Sequence, residues 1–193
     1  MPDPATGAPA PVVWIEGLPG AGKSTVAARL RTLLEAEGRA VEVIDGSEAR
    51  HQISPELGFS RRDRETNARR VSLVARTFAS QGIVVIVAMV TPYETARRTA
   101  RSIVGPGFVE VWLTCSLAAC RRRDPDGVYS RAESGLLRHL TGVDDPFEDP
   151  LDPEVEVDNE HQPASATARQ LLDRLHALRL LGAPRARAGG AGG

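Results

Sequence analysis

Short apolar runs alternate with longer amphipathic stretches along this chain. Val12 to Ile15 is continuous and apolar, which predicts a short buried strand. Val26, Ala27 and Leu30, continuing to Leu33 and Leu34, recur at helical spacing. Val41 to Ile44 predicts a second strand. From Arg64 to Gln81, the residues Val71, Val74, Ala75 and Phe78 fall on one helical face. Ile83 to Ala88 is an unbroken, mostly β-branched run, the pattern of a central parallel strand buried on both faces. Thr95 to Val104 predicts a short helix and Phe108 to Leu113 a further strand. Val155 to Val157 reads as a short last strand, and Ala164 to Leu180 as an amphipathic C-terminal helix. Alternating strands and helices predict an α/β fold, a doubly wound parallel sheet of about five strands with helices on both faces. Ligands of such sheets sit beyond the carboxyl ends of the strands.

Composition narrows the class. The 193 residues suit one folded domain, expected over 12–182. The Pro- and Ala-rich stretch 1–11 and the Gly- and Arg-rich tail 183–193 read as disordered. A hydrophobic share of 41% with 25% charged residues supports a packed core. A net charge of −1 offers no global basic field, and aromatics at 4% cannot line a stacking channel, so a nucleic-acid partner is not expected. No apolar run spans a bilayer and the N-terminus lacks the features of a signal peptide, which predicts a cytoplasmic protein without a membrane partner. Cys115 and Cys120 form no metal-ligand pattern and read as small side chains in a reducing compartment.

The candidate chemistry starts between the first strand and the first helix. Gly17-Leu18-Pro19-Gly20-Ala21-Gly22-Lys23-Ser24-Thr25 matches the P-loop pattern in its required strand–turn–helix context. Its glycines let several N–H groups point into one concavity that holds phosphate. Lys23 is expected to reach the β- and γ-phosphates of ATP, and Ser24 to offer its hydroxyl to Mg²⁺. Asp45 ends the second strand, where a carboxylate can orient the metal or the acceptor hydroxyl, or simply close an Asx-turn. Thr91 is the first polar side chain beyond the third strand. It is placed either to hydrogen-bond a substrate or to cap the next helix. Arg121-Arg122-Arg123 open a polar, loop-like stretch that reads as a mobile lid over about residues 121–152, with Arg123 first in line to neutralise transferred charge. The guanine-reading Asn-Lys-x-Asp motif does not occur, which argues against a switch GTPase.

Together these residues resemble the adenylylsulfate (APS) kinase family, from about Val12 to Asp158. Asp45-Gly46-Ser47-Glu48-Ala49-Arg50 is similar to that family's Asp-Gly-Asp-x-x-Arg segment. Leu57-Gly58-Phe59-Ser60 with Asp63-Arg64, Asn67 and Arg69-Arg70 is similar to its next block. Arg123-Asp124-Pro125, Gly127, Tyr129 and Thr141-Gly142-Val143-Asp144 resemble its lid. The resemblance implies transfer of phosphate from Mg²⁺·ATP to the 3′-hydroxyl of APS, and a homodimer. Carried over, Arg50, Arg64 and Asn67 would hold the phosphosulfate and Phe59 would stack on the adenine. The departures gather on the acceptor side. Ser47 stands for the family's second Asp, Thr91 for its Ser, Asp126 and Ser130 for lid lysines, Glu133 for an Arg, and Leu140 for a second stacking aromatic. A less positive lid leaves open a different hydroxylated small-molecule acceptor, and a regulatory nucleotide binder without transfer activity is a further alternative.

Overall fold

The computed structural model describes residues 9–181. Five strands form one parallel sheet: β1 (Val12–Glu16), β2 (Val41–Asp45), β3 (Val84–Ala88), β4 (Phe108–Thr114) and β5 (Val155–Asp158), in the order β2-β3-β1-β4-β5. β1 and β3 are buried along their whole length, as their unbroken apolar runs require. Side chains alternate across the sheet. Val13 and Ile15 face a core shared with α1 (Lys23–Ala36) and α7 (Ala164–Ala177). Val12 and Trp14 face the opposite core, formed with α3 (Arg61–Ser80) and α4 (Glu94–Val104). The expected doubly wound α/β sheet is therefore present. β1 lies between β3 and β4, so the chain leaves it in both directions and opens a crevice at the carboxyl edge.

The structure departs from the sequence-based expectations in several elements. The ordered chain reaches back past Val12: the Ala10 N–H donates to the Ala79 carbonyl at 3.0 Å and Pro11 is buried. The other residues of the two segments expected to be disordered, 1–8 and 183–193, lie outside the described residues. α3 begins a turn early because the Ser60 hydroxyl caps it, accepting from the Asp63 N–H. α7 ends at Ala177 rather than Leu180, where Arg179 turns to φ 56°. Two short helices were not anticipated, α2 (Gly46–Gln52) and α6 (Val128–Glu133), with α5 (Leu117–Arg123) before the latter. The segment expected to be a loop-like lid is thus partly helical. Asp124 holds its fold, accepting from the backbone N–H of Tyr129 and of Ser130 and from the Ser130 hydroxyl.

Candidate active site

The loop Gly17–Gly22 turns from β1 into α1, and α1 starts without a side-chain cap: Gly22 holds the cap position at φ 94°. The first N–H groups of this 14-residue helix therefore face the crevice, with the positive end of the helix dipole behind them. A side chain at Gly22 would also meet the Asn159 amide at 2.5 Å, so the close approach there requires glycine. Asn159 in turn supports the loop. Its Nδ2 donates to the Ala21 carbonyl at 2.7 Å, and its Oδ1 accepts from the Thr167 hydroxyl at 2.7 Å. The Tyr129 hydroxyl donates to the Pro19 carbonyl from the other side. Lys23 is almost wholly buried, and its ammonium donates to the carbonyls of Gly17 and Leu18. Burial lowers its pKa to about 8, and the nearby Asp45 and Glu16 carboxylates offset that only in part.

A cavity of about 910 Å³ opens over this loop. Pro19, Gly20, Gly22, Lys23, Ser24 and Thr25 line it, whereas Gly17, Leu18 and Ala21 do not. Ser24 Oγ donates to Asp45 Oδ2 at 2.6 Å. The other Asp45 oxygen accepts from the hydroxyl and N–H of Ser47 and caps α2. The Asx-turn reading of Asp45 therefore holds for one oxygen, while the other meets the P-loop serine. Burial pushes the Asp45 carboxyl up, but the Ser24 and Ser47 hydrogen bonds outweigh it and leave it below the usual carboxylate range. Ser24 and Asp45 present hard oxygen donors suited to Mg²⁺, which normally keeps waters and substrate phosphates as its other ligands. Among the described residues no cluster of three or more His, Cys, Asp or Glu offers a metal cage.

Arg50, Phe59, Arg64 and Asn67 come together on the same cavity wall. The two guanidiniums lie 4.4 and 5.3 Å from the Phe59 ring centroid. Arg50 donates to the Gly58 carbonyl, and Arg64 to the carbonyls of Phe59 and His139. Burial pushes both arginines down, and for Arg50 the nearby Arg64 adds to the effect. Among the described residues neither has an ion-pair partner, so the pair favours an anionic ligand. Asn67 has no exposed surface, and both ends of its amide lack a hydrogen-bond partner. An orphaned buried amide at a cavity wall is expensive unless a ligand satisfies it.

Other expected residues sit differently. Thr91 lines the cavity but does not stand free there: its hydroxyl accepts from Trp14 Nε1 at 2.9 Å, which leaves its own O–H to donate, and the residue is buried. Nor does it cap α4. Tyr93 occupies that position without a side-chain bond, and the Glu94 N–H donates to the Glu148 carboxylate. Thr91 stands at φ 40°, a backbone shape that costs a β-branched residue on the order of 1–3 kcal/mol. Of the three arginines, Arg123 alone lines the cavity, and it donates to the Asn159 and Glu160 carbonyls rather than standing free. Arg121 and Arg122 turn outward to Glu133 and Glu160. Leu140 lines the cavity but packs with Ala21, Cys120 and Tyr129, so it closes a small apolar cluster rather than offering a flat stacking face. Cys120 is buried beneath that lid root and Cys115 is half-buried, both as free thiols.

The departures from the family pattern touch the cavity less than the sequence suggests. Glu133 is exposed and pairs with Arg121 at 3.9 Å, away from the cavity. Ser130 is taken up by Asp124. Ser47 reinforces Asp45. Only Asp126 adds a carboxylate to the wall, where Arg131 and Arg138 also stand. Those arginines, His51 and His139, and Thr141, whose buried hydroxyl has no partner, were missed as lining residues. The Thr141-Gly142-Val143-Asp144 match was the available signal for Thr141.

Known proteins resemble this chain over most of its length. The family model described as adenylylsulphate kinase matches residues 9–158. An adenylyl-sulfate kinase of Paraburkholderia xenovorans is 44% identical over 164 residues, covering 85% of this chain and 92% of that protein. A probable adenylyl-sulfate kinase of Aeropyrum pernix is 44% identical over 152 residues, 77% of this chain and 83% of that protein. The Mycobacterium tuberculosis APS kinase CysC, solved in complex with AMPPNP and APS, superposes with a TM-score of 0.84 at 35% identity over 88% of this chain and 99% of that chain. With a P-loop, a Ser24–Asp45 pair and an arginine-lined wall in one crevice, and with these relatives spanning most of its folded length, the chain belongs to the adenylylsulphate kinase family.

Proposed function

We propose that this protein transfers the γ-phosphoryl group of ATP to the 3′-hydroxyl of APS, giving ADP and 3′-phosphoadenylyl sulfate. The observation that carries this reading is the meeting of two half-sites in one cavity. A phosphate-binding loop forms one wall, and an unpaired arginine couple with an orphaned amide, Asn67, forms another. The second reading, a different hydroxylated acceptor, rested on the lid exchanges. It loses support because Glu133 and Ser130 do not line the cavity.

In the mechanism we assign, the N–H groups of Gly20 to Ser24 bind the β-phosphate. The Lys23 ammonium leaves the carbonyls it now contacts and spans the β- and γ-oxygens. Ser24, with Asp45 beside it, would hold Mg²⁺, which supplies charge neutralisation on the phosphate oxygens. A carboxyl held below the usual range stays anionic, so Asp45 suits orienting a metal or hydroxyl better than taking up a proton. Arg50, Arg64 and Asn67 bind the phosphosulfate, and Phe59 offers its ring to the adenine. Thr91 and Leu140 shape the acceptor wall. Arg123 ties the root of the lid to the loop after β5, adding positive charge at the rim together with Arg131 and Arg138. The segment 121–152 closes as a lid and excludes water from the γ-phosphate.

The test is ADP release from Mg²⁺·ATP with and without micromolar APS, with the product identified by mass. APS-dependent formation of the 3′-phosphorylated product is expected. ATP binding without APS-dependent turnover overturns the reading. A cytoplasmic location and a homodimer accompany the proposal; cell fractionation and light scattering check them. No helix among the described residues is long and apolar enough to cross a membrane.

A further inference from the structure

We infer that Trp14 and Arg97 are positioning residues for the acceptor subsite, clamping the Val90-Thr91-Pro92 turn from inside the fold. The inference rests on the APS kinase reading, which makes this turn a wall of the acceptor half. Thr91 holds φ 40° although it is β-branched, and such a shape persists only where its surroundings over-determine it. Two buried donors do so. The Trp14 indole Nε1 donates to the Thr91 hydroxyl at 2.9 Å, and Arg97 Nη1 donates to the Thr91 carbonyl at 3.1 Å. Neither clamp residue lines the cavity, and both are buried. Each is anchored independently of the turn. Trp14 stacks at a tilt on Phe108, with centroids 5.7 Å apart. The Arg97 guanidinium is forked onto Glu94 Oε2 and lies 3.5 Å from Glu16 Oε1 and 3.3 Å from Glu110 Oε1. Glu16 ends β1, Glu110 lies in β4 and Glu94 opens α4. Three elements therefore fix the guanidinium, and the guanidinium fixes the turn.

Kinetics with ATP and APS varied separately test this. Trp14→Phe keeps a ring against Phe108 and removes the N–H. Arg97→Lys keeps the positive charge facing Glu16 and Glu110 but cannot fork to both Glu94 and Thr91. Each change is expected to raise KM for APS about tenfold while KM for ATP moves less than about twofold, because a small misplacement of a positioning wall is felt by the ligand it faces. Thr91→Gly adopts a positive φ without a clamp, so in that background Trp14→Phe is expected to add less than about twofold. Equal shifts in both KM values, no shift in either, or an undiminished effect of Trp14→Phe beside Thr91→Gly overturns the positioning role. Absence of APS turnover by the unaltered chain overturns the functional reading as well. APS turnover with unselective variants overturns the clamp alone.

Discussion

Asp45 divides its two oxygens, one capping α2 and one meeting Ser24. Asp45→Asn keeps the shape and an acceptor for the cap but loses the charge. It should lower kcat by roughly a hundredfold with little change in ATP affinity; a loss confined to ATP affinity argues against the role. Lys23 makes a pH prediction. Its folded value of about 8 lies below its value in an unfolded chain, so the empty protein sheds this proton early and gains stability as pH rises from about 8 toward 10.5. Bound phosphate restores the charge, so ATP binding should take up a proton and weaken above pH 8. Calorimetry in buffers of different ionisation heat measures this, and zero uptake near pH 8.5 contradicts it. The P-loop and Asp45 were legible in the sequence because residue type and spacing alone define the geometry of a strand–turn–helix. The fate of the Thr91 hydroxyl was not, because its partner Trp14 is remote in the chain.

Elements bring in contacts that no local pattern encodes. The loop after β5 supports the P-loop through Asn159, which joins the Ala21 carbonyl to the Thr167 hydroxyl of α7. Asn159→Ala leaves both partners buried and unsatisfied. It should lower stability by about 2–4 kcal/mol and weaken ATP binding with it; chemical denaturation and nucleotide titration report the two effects, and loss of neither would show that the loop stands alone. The unbroken apolar runs of β1 and β3 and the long periodic stretch of α3 were readable within a few residues. The short helices α2 and α6 were not, because a helix of one or two turns carries little periodicity. Both depend on single carboxylates: Asp45 caps α2, and Asp124 accepts the opening N–H groups of α6.

Across the whole molecule, net charge conceals the local field. The chain totals −1, yet Lys23, Arg50, Arg64, Arg123, Arg131 and Arg138 converge on one cavity whose carboxylates are Asp45 and Asp126. Such a cavity draws in anions, so kcat/KM for APS should fall several-fold between about 0.05 and about 0.3 M salt. A flat response would mean that these charges are compensated in solution. The alternation of apolar runs by itself determined the parallel α/β sheet, and the glycine pattern before Lys23 determined the strand–turn–helix at which we propose that phosphate binds, since both follow from backbone geometry over a few neighbouring residues. The pairing of Arg50 with Arg64 around Phe59, the orphaned amide of Asn67, the outward turn of Glu133 and the burial of the Thr91 hydroxyl were decided only when the sheet assembled. Each depends on which residues distant in sequence share one wall, and burial and charge compensation arise from those neighbours rather than from the residue itself.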